Sequence, residues 1–218
     1  LALRGRGTLI GIVDTGIDYR NPIFLGSDRS TRILGLWDQT EEGPGIMMGN
    51  ILEDIPYGRE YTREEINQAL EAEDPFSVVP SRDESGHGTL LAGIAAGNET
   101  DSASFTGAAP EAFLAVVKLK QAKQYLRDYY LIPSSSEAYQ ENDIMMGIKY
   151  LLLVARRHRL PLTILISLGT NMGSHEGTSP LARYLDTVSA FPGVVPAIAA
   201  GNETGYSHHY FGTVEADE

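Results

Sequence analysis

The stretch TLIGIVDTGID, residues 8–18, decides the fold. Thr8 through Asp14 form an apolar, β-branched run closed by a carboxylate, and Thr15-Gly16 behind it force a tight turn. A short apolar run bounded by turn signals reads as a buried strand, here one that stops at Asp14. Later runs read alike: RILGLWD (32–38), AFLAVVKL (112–119), LTILISLG (162–169) and GVVPAIAA (193–200). Between them HGTLLAGIAAG (87–97), ENDIMMGIKYLLLVARRH (141–158) and SPLARYLDTVSAF (179–191) have helical patterns. Strands apolar throughout and alternating with helices point to one parallel sheet covered on both faces, an α/β fold.

Residues 41–80 interrupt this rhythm with Gly and Pro and read as an insertion, an irregular loop beside one helix. That helix is TREEINQALE, where Thr62 and Glu65 have capping-box spacing ahead of Ile66 and Leu70. Residues 120–140, with DYYLIPSSSEAY, read as a surface excursion. There are no internal repeats and no low-complexity tract.

With 218 residues, 42% of them hydrophobic, the chain can bury one sizeable core, so one domain is expected. Its formal charge of -12 repels nucleic-acid phosphates and anionic lipid, which argues against nucleic acid as a partner. The absence of cysteine excludes disulfides, thiolate metal sites and a cysteine nucleophile. No apolar run approaches the roughly 20 residues that span a bilayer, and LALRGRGTLIG at the start lacks a signal-peptide core. No membrane association is expected, and both ends of the chain read as cut.

In open parallel sheets ligands bind beyond the carboxyl ends of the strands, so polar residues stranded just after apolar runs are the ones to weigh. Asp14 ends the first strand, His87 opens a small-residue helix in DESGHGTLLAGIAAG, and Asn202 follows VVPAIAAG. A buried Asp that fixes a histidine tautomer suits the base half of a nucleophilic triad, and an Asn amide can donate to a developing oxyanion. Taken singly, they have bland readings: Asp-Thr-Gly as a turn, and a lone His before Gly as a helix cap.

Together these segments resemble the subtilisin-like serine peptidases. GIVDTGID is similar to their aspartate motif, SGHGTLLAGIAAG to their histidine motif, and GAAPEAFLAVVKL to the strand after it. ISLG is similar to their substrate-binding strand and VPAIAAGNE to their oxyanion motif, in the family's order. The resemblance implies an incomplete three-layer subtilisin-like fold in which Asp14 orients His87, His87 is general base and then acid, and Asn202 polarises the scissile carbonyl. It further implies that Ser167, Leu168 and Gly169 pair with substrate backbone, and that Ala199, Ala200 and Gly201 line a roomy pocket for the residue before the cut. LGLWDQT, GSHEGTSPLARYLD and the HHY after the Asn motif resemble the germination-associated Csp subtilases of clostridia, a subgroup with members that have lost triad residues.

Two features depart from the family pattern. Leu90 stands where many relatives carry a second, non-catalytic histidine. The family's serine lies in a Gly-Thr-Ser segment well beyond the oxyanion asparagine, whereas this chain ends at Glu218, so the nucleophile is expected outside it. Ser179 in GTSPLA has the right spelling, yet it precedes Asn202, and Ser before Pro180 at the start of a helical pattern is an N-cap signature.

GRGTLIG precedes its strand, which excludes a dinucleotide fingerprint. His175, His208 and His209 read as surface residues, so no metal site is expected. The loop GNETDSAS (97–104) lies where some relatives bind calcium, which leaves calcium as an optional ligand with no cofactor required.

The expected function is hydrolysis of peptide bonds by a serine endopeptidase, with protein or peptide substrates and the protein's own propeptide as partners. The segment alone is expected to be inert, and resemblance implies a secreted or spore-associated location. The alternative is a catalytically inactive subtilase that binds peptides or a partner protease as a regulator.

Overall fold

Each of the apolar runs forms a strand in the computed structural model, which describes residues 3–50, 53–100, 104–207 and 212–213. These strands are β1 (Leu9–Asp14), β2 (Ile33–Asp38), β4 (Phe113–Lys118), β5 (Leu162–Ile166) and β6 (Val194–Ile198). One strand was not expected: β3 (Arg59–Thr62), inside the insertion, pairs antiparallel with β2. The six strands form a single sheet in the order β3-β2-β4-β1-β5-β6, and every pair except β2 with β3 is parallel. The sheet is therefore mixed at one edge where the sequence pointed to a parallel one.

Alternation of side chains across the pleat divides the core in two. Leu9 and Val13 of β1, with Ala115 and Val117 of β4, face the core beneath α4 (Glu141–His158) and α5 (Pro180–Ser189). Ile10 and Ile12, with Leu114 and Val116, face the core beneath α1 (Arg63–Glu71) and α2 (His87–Ala96). Helices thus cover both faces, giving the three-layer α/β architecture read from the sequence.

Small residues set the helix-to-sheet distance. Gly147 of α4 lies against Val13 and Val117, and a Cβ on Gly11 of β1 would meet the Leu151 side chain. On α4, Ile144, Ile148, Leu151 and Ala155 recur at helical spacing and are buried, the amphipathic stripe expected of a helix lying on a sheet. Thr62 and Glu65 form the anticipated capping box at the start of α1. The excursion holds one unanticipated helix, α3 (Gln124–Tyr129). Buried Arg127 pins this excursion by donating to the carbonyls of Pro133, at 2.8 Å, and Ser136, at 2.7 Å.

Connections from β1 to β2 and from β4 to β5 run in opposite directions along the sheet, so the strand order reverses around β1. The carboxyl end of β1 is consequently flanked by chain from both helical layers, the place where such sheets hold ligands.

At the opposite end of the sheet, Arg32 is buried just ahead of β2. Its guanidinium donates to the carbonyls of Ala112 at 2.7 Å, Ile23 at 2.8 Å and Ala96 at 2.5 Å. Burial lowers its pKa to about 10. Removing this cation leaves the carbonyls of Ala112 and Ala96 without their donor, whereas Ile23 O keeps the Asn98 amide at 2.8 Å, so Arg32→Ala should lower stability by about 2–4 kcal/mol in urea titrations, and an unchanged midpoint would show that the carbonyls find other donors.

Candidate active site

Asp14 is the last residue of β1 and lies two positions beyond Ile12, so the pleat directs its side chain to the α2 side of the sheet. On that side α2 approaches β1 closely: a Cβ on Gly88 would collide with the carbonyl oxygen of Gly16. Gly16 itself has φ +119, a backbone conformation open to glycine, which lets the chain turn away directly after Thr15. The Asp-Thr-Gly turn and the His-Gly pair are therefore two halves of one contact, each needing its glycine.

The first residue of α2, His87, meets Asp14 across this contact. His87 Nδ1 lies 2.7 Å from Asp14 Oδ1, which also accepts the amide of Thr15 at 2.8 Å. Asp14 is fully buried, whereas the His87 side chain is 42% exposed. A carboxylate only accepts, so the imidazole must carry its proton on Nδ1, leaving Nε2 free to take one from a nucleophile. Asp14 Oδ2 is buried and has no hydrogen-bond partner among the described residues.

The remaining candidates share the edge with this pair but are not joined to it. Ser167, Leu168 and Gly169 follow β5, whose ladder ends at Ile166, three residues earlier than the sequence pattern indicated. Leu168 packs its side chain against the core under α4. Ala199 extends the β6 pairing by donating its amide to Ile166 O at 3.1 Å, and Ala200, Gly201 and Asn202 follow, exposed, at the same end of the sheet.

Ser179 is the N-cap of α5: its hydroxyl accepts the amide of Ala182 at 3.2 Å, and Pro180 occupies the first turn. His175 is exposed. His208 and His209, and residues 101–103 of the acidic loop, lie outside the described residues. Among the described residues no group of three or more His, Asp or Glu side chains could hold a metal ion.

Two residues beside the pair were not singled out in the sequence. Lys118, the register partner of Asp14 on β4, extends past Gly16 to Glu84 at 3.2 Å and Asp38 at 3.8 Å. Asp83, four positions before His87, receives hydrogen bonds from both the β1 turn and α2. Burial alone would raise its carboxyl pKa, but hydrogen bonds from Thr89, Thr15 and the amides of Thr89 and Gly86 outweigh that and hold it below the usual carboxylate value. The signal for Asp83 was its place in the histidine segment, but its partners emerge only once α2 docks on β1.

A mostly parallel sheet with an Asp–His pair at the carboxyl end of β1 is an α/β site of hydrolase type, and the family follows from comparison. The subtilase family model matches residues 5–217, and the chain belongs to that family. It is similar to the CspB protease of Clostridium perfringens, with 34% identity and a TM-score of 0.76 over 94% of this chain and 39% of that one. Subtilisin-like protease SBT2.2 of Arabidopsis thaliana is 34% identical over 128 residues, 52% of this chain and 15% of the plant protein. Sphericase, 22% identical with a TM-score of 0.58 over 94% of this chain and 49% of its own, shares the fold. The chain thus spans well under two thirds of each of these proteins.

Two outcomes follow from the geometry. Ser179→Ala should cost about 1 kcal/mol through loss of the cap, read by thermal unfolding, and should leave any reaction of the full-length protein with a serine-directed phosphonate unaltered. A group whose folded pKa is depressed stabilises above its unfolded value, so the Asp83 contribution is present above 3.8 and lost as pH falls through the folded value. Asp83→Asn should therefore flatten the acid side of a pH–stability profile, and an unchanged slope would contradict the depressed value.

Proposed function

We propose that this chain carries the Asp–His half of a subtilisin-type serine endopeptidase, whose nucleophilic serine comes from a part of the protein outside residues 1–218. The observation that carries this reading is the 2.7 Å contact between Asp14 Oδ1 and His87 Nδ1 at the carboxyl edge of the sheet, with the imidazole open to solvent on its other side.

In this reading His87 Nε2 takes the serine hydroxyl proton as the oxygen attacks the scissile carbonyl. It gives that proton to the leaving amine as the carbon–nitrogen bond breaks, and then activates water to release the acyl group. Asp14 holds the Nδ1 proton and stabilises the imidazolium. Asn202 donates its amide to the oxyanion, an interaction whose removal in subtilisin slows the reaction about 100 to 1000-fold. Ser167, Leu168 and Gly169 present backbone to the substrate strand, and Ala199, Ala200 and Gly201 leave room for the side chain before the cut.

The substrates are proteins or peptides, and the propeptide is a further occupant of the same cleft. Likeness to the CspB protease supports a secreted or spore-associated role in germination. Calcium is an optional ligand of the 97–104 loop in this reading.

Labelling of the full-length protein with a fluorophosphonate tests the reading. The unsubstituted protein should label on a serine, and Asp14→Asn, which preserves shape but turns the imidazole to the wrong tautomer, should slow this about 10,000-fold. A folded full-length protein that never labels is instead an inactive subtilase that binds peptides or a partner protease.

A further inference from the structure

Asp83 is held by four hydrogen bonds from three parts of the chain. Its Oδ1 accepts from Thr15 Oγ1 at 2.7 Å and from the Gly86 amide at 2.9 Å. Its Oδ2 accepts from the Thr89 amide at 2.8 Å and from Thr89 Oγ1 at 2.6 Å. Both hydroxyls pass the connection on: Thr15 Oγ1 accepts the Gly88 amide at 2.9 Å, and Thr89 Oγ1 accepts the Asp18 amide at 2.8 Å. Each of these bonds spans the β1 turn, the loop ahead of α2, or the first turn of α2.

The position of these donors is what matters for chemistry. Thr15 follows Asp14 directly, and Gly86 and Gly88 bracket His87. Helix α2 opens on Gly86, which has φ +77 and no side chain to cap the first amides. Asp83 supplies that cap from three residues upstream and places a carboxylate at the positive end of the helix. A carboxylate has about four acceptor sites, and here they are committed to donors on both sides of the Asp14–His87 contact. Rotation of α2 about its axis, or withdrawal of the β1 turn, breaks several charge-assisted bonds at once.

We propose that Asp83 is a positioning residue, whose carboxylate locks the turn after Asp14 to the first turn of α2 and so keeps His87 Nδ1 on Asp14 Oδ1. The inference rests on the reading of that pair as the base half of a peptidase, and its test is separable from activity.

The test is the downfield proton resonance of His87 Nδ1–H in full-length protein carrying 15N-histidine, recorded beside the rate of fluorophosphonate labelling. Asp83→Asn is expected to broaden or abolish the resonance and to slow labelling about 100-fold, the scale of a small misplacement of a catalytic group. Ile66→Val, in the core under α1, should leave both readouts alone. If Asp83→Asn does not fold, Thr89→Val carries the test: it should weaken the resonance, and Thr89→Ser should restore it. A full-strength resonance in folded Asp83→Asn, in Thr89→Val, or no resonance in the unsubstituted protein overturns the inference. The resonance needs no serine, so an unsubstituted protein that shows it yet never labels counts against the peptidase reading and not against this one.

Discussion

The contact between Asp14 and His87 depends on how closely α2 can lie on β1. Gly88 sits where any Cβ would strike the Gly16 carbonyl, and the sheet-facing side of α2 continues with Ala92 and Ala96. Small residues on that side set a short separation between helix and sheet, and a short separation is what allows a side chain at the helix start to reach one at the strand end. Strand parity does the rest. Because Ile10, Ile12 and Asp14 share one face of β1, the residue that completes this apolar series is the one delivered to α2. A fully buried carboxylate is costly to hold without partners, and the imidazole and the Thr15 amide provide two. Close backbone packing thus serves to orient one imidazole.

The outward side of α2 carries exposed apolar side chains. On α2, Leu90 and Ile94 are 60% and 52% exposed, and they share the outward side of the helix with His87. Leu90 and Ile94 thus leave apolar surface open beside His87. Leu90, the departure from the family's second histidine, adds to that apolar side and takes no part in the Asp14 contact.

Much of this was legible in the sequence because buried strands are written as uninterrupted apolar runs. TLIGIVD and AFLAVVKL yielded β1 and β4 to within a residue, and the amphipathic spacing of ENDIMMGIKYLLLVARRH yielded α4 with its observed bounds. Ser179 was legible as a cap because proline follows it. β3 was hidden because REYT is four residues long, half charged and paired at an edge, where alternation and hydrophobicity both fail as signals. The run LTILISLG extends past the ladder because Leu168 turns into the core instead of continuing the pairing. Asp83 was hidden for a different reason: its partners Thr15 and Thr89 come together only through tertiary contact, and no local pattern announces a carboxylate that caps a helix from three residues upstream.

In the proposed function, Asp14 and His87 form one half of a catalytic site completed from elsewhere in the protein. A crystal structure of the full-length protein measures this most directly, through the distance from His87 Nε2 to the nearest serine hydroxyl. A serine from outside residues 1–218 is expected within hydrogen-bond reach of Nε2, about 2.6–3.2 Å. A complete chain with Asp14 and His87 paired as here, but with an apolar side chain or no serine against Nε2, would contradict it.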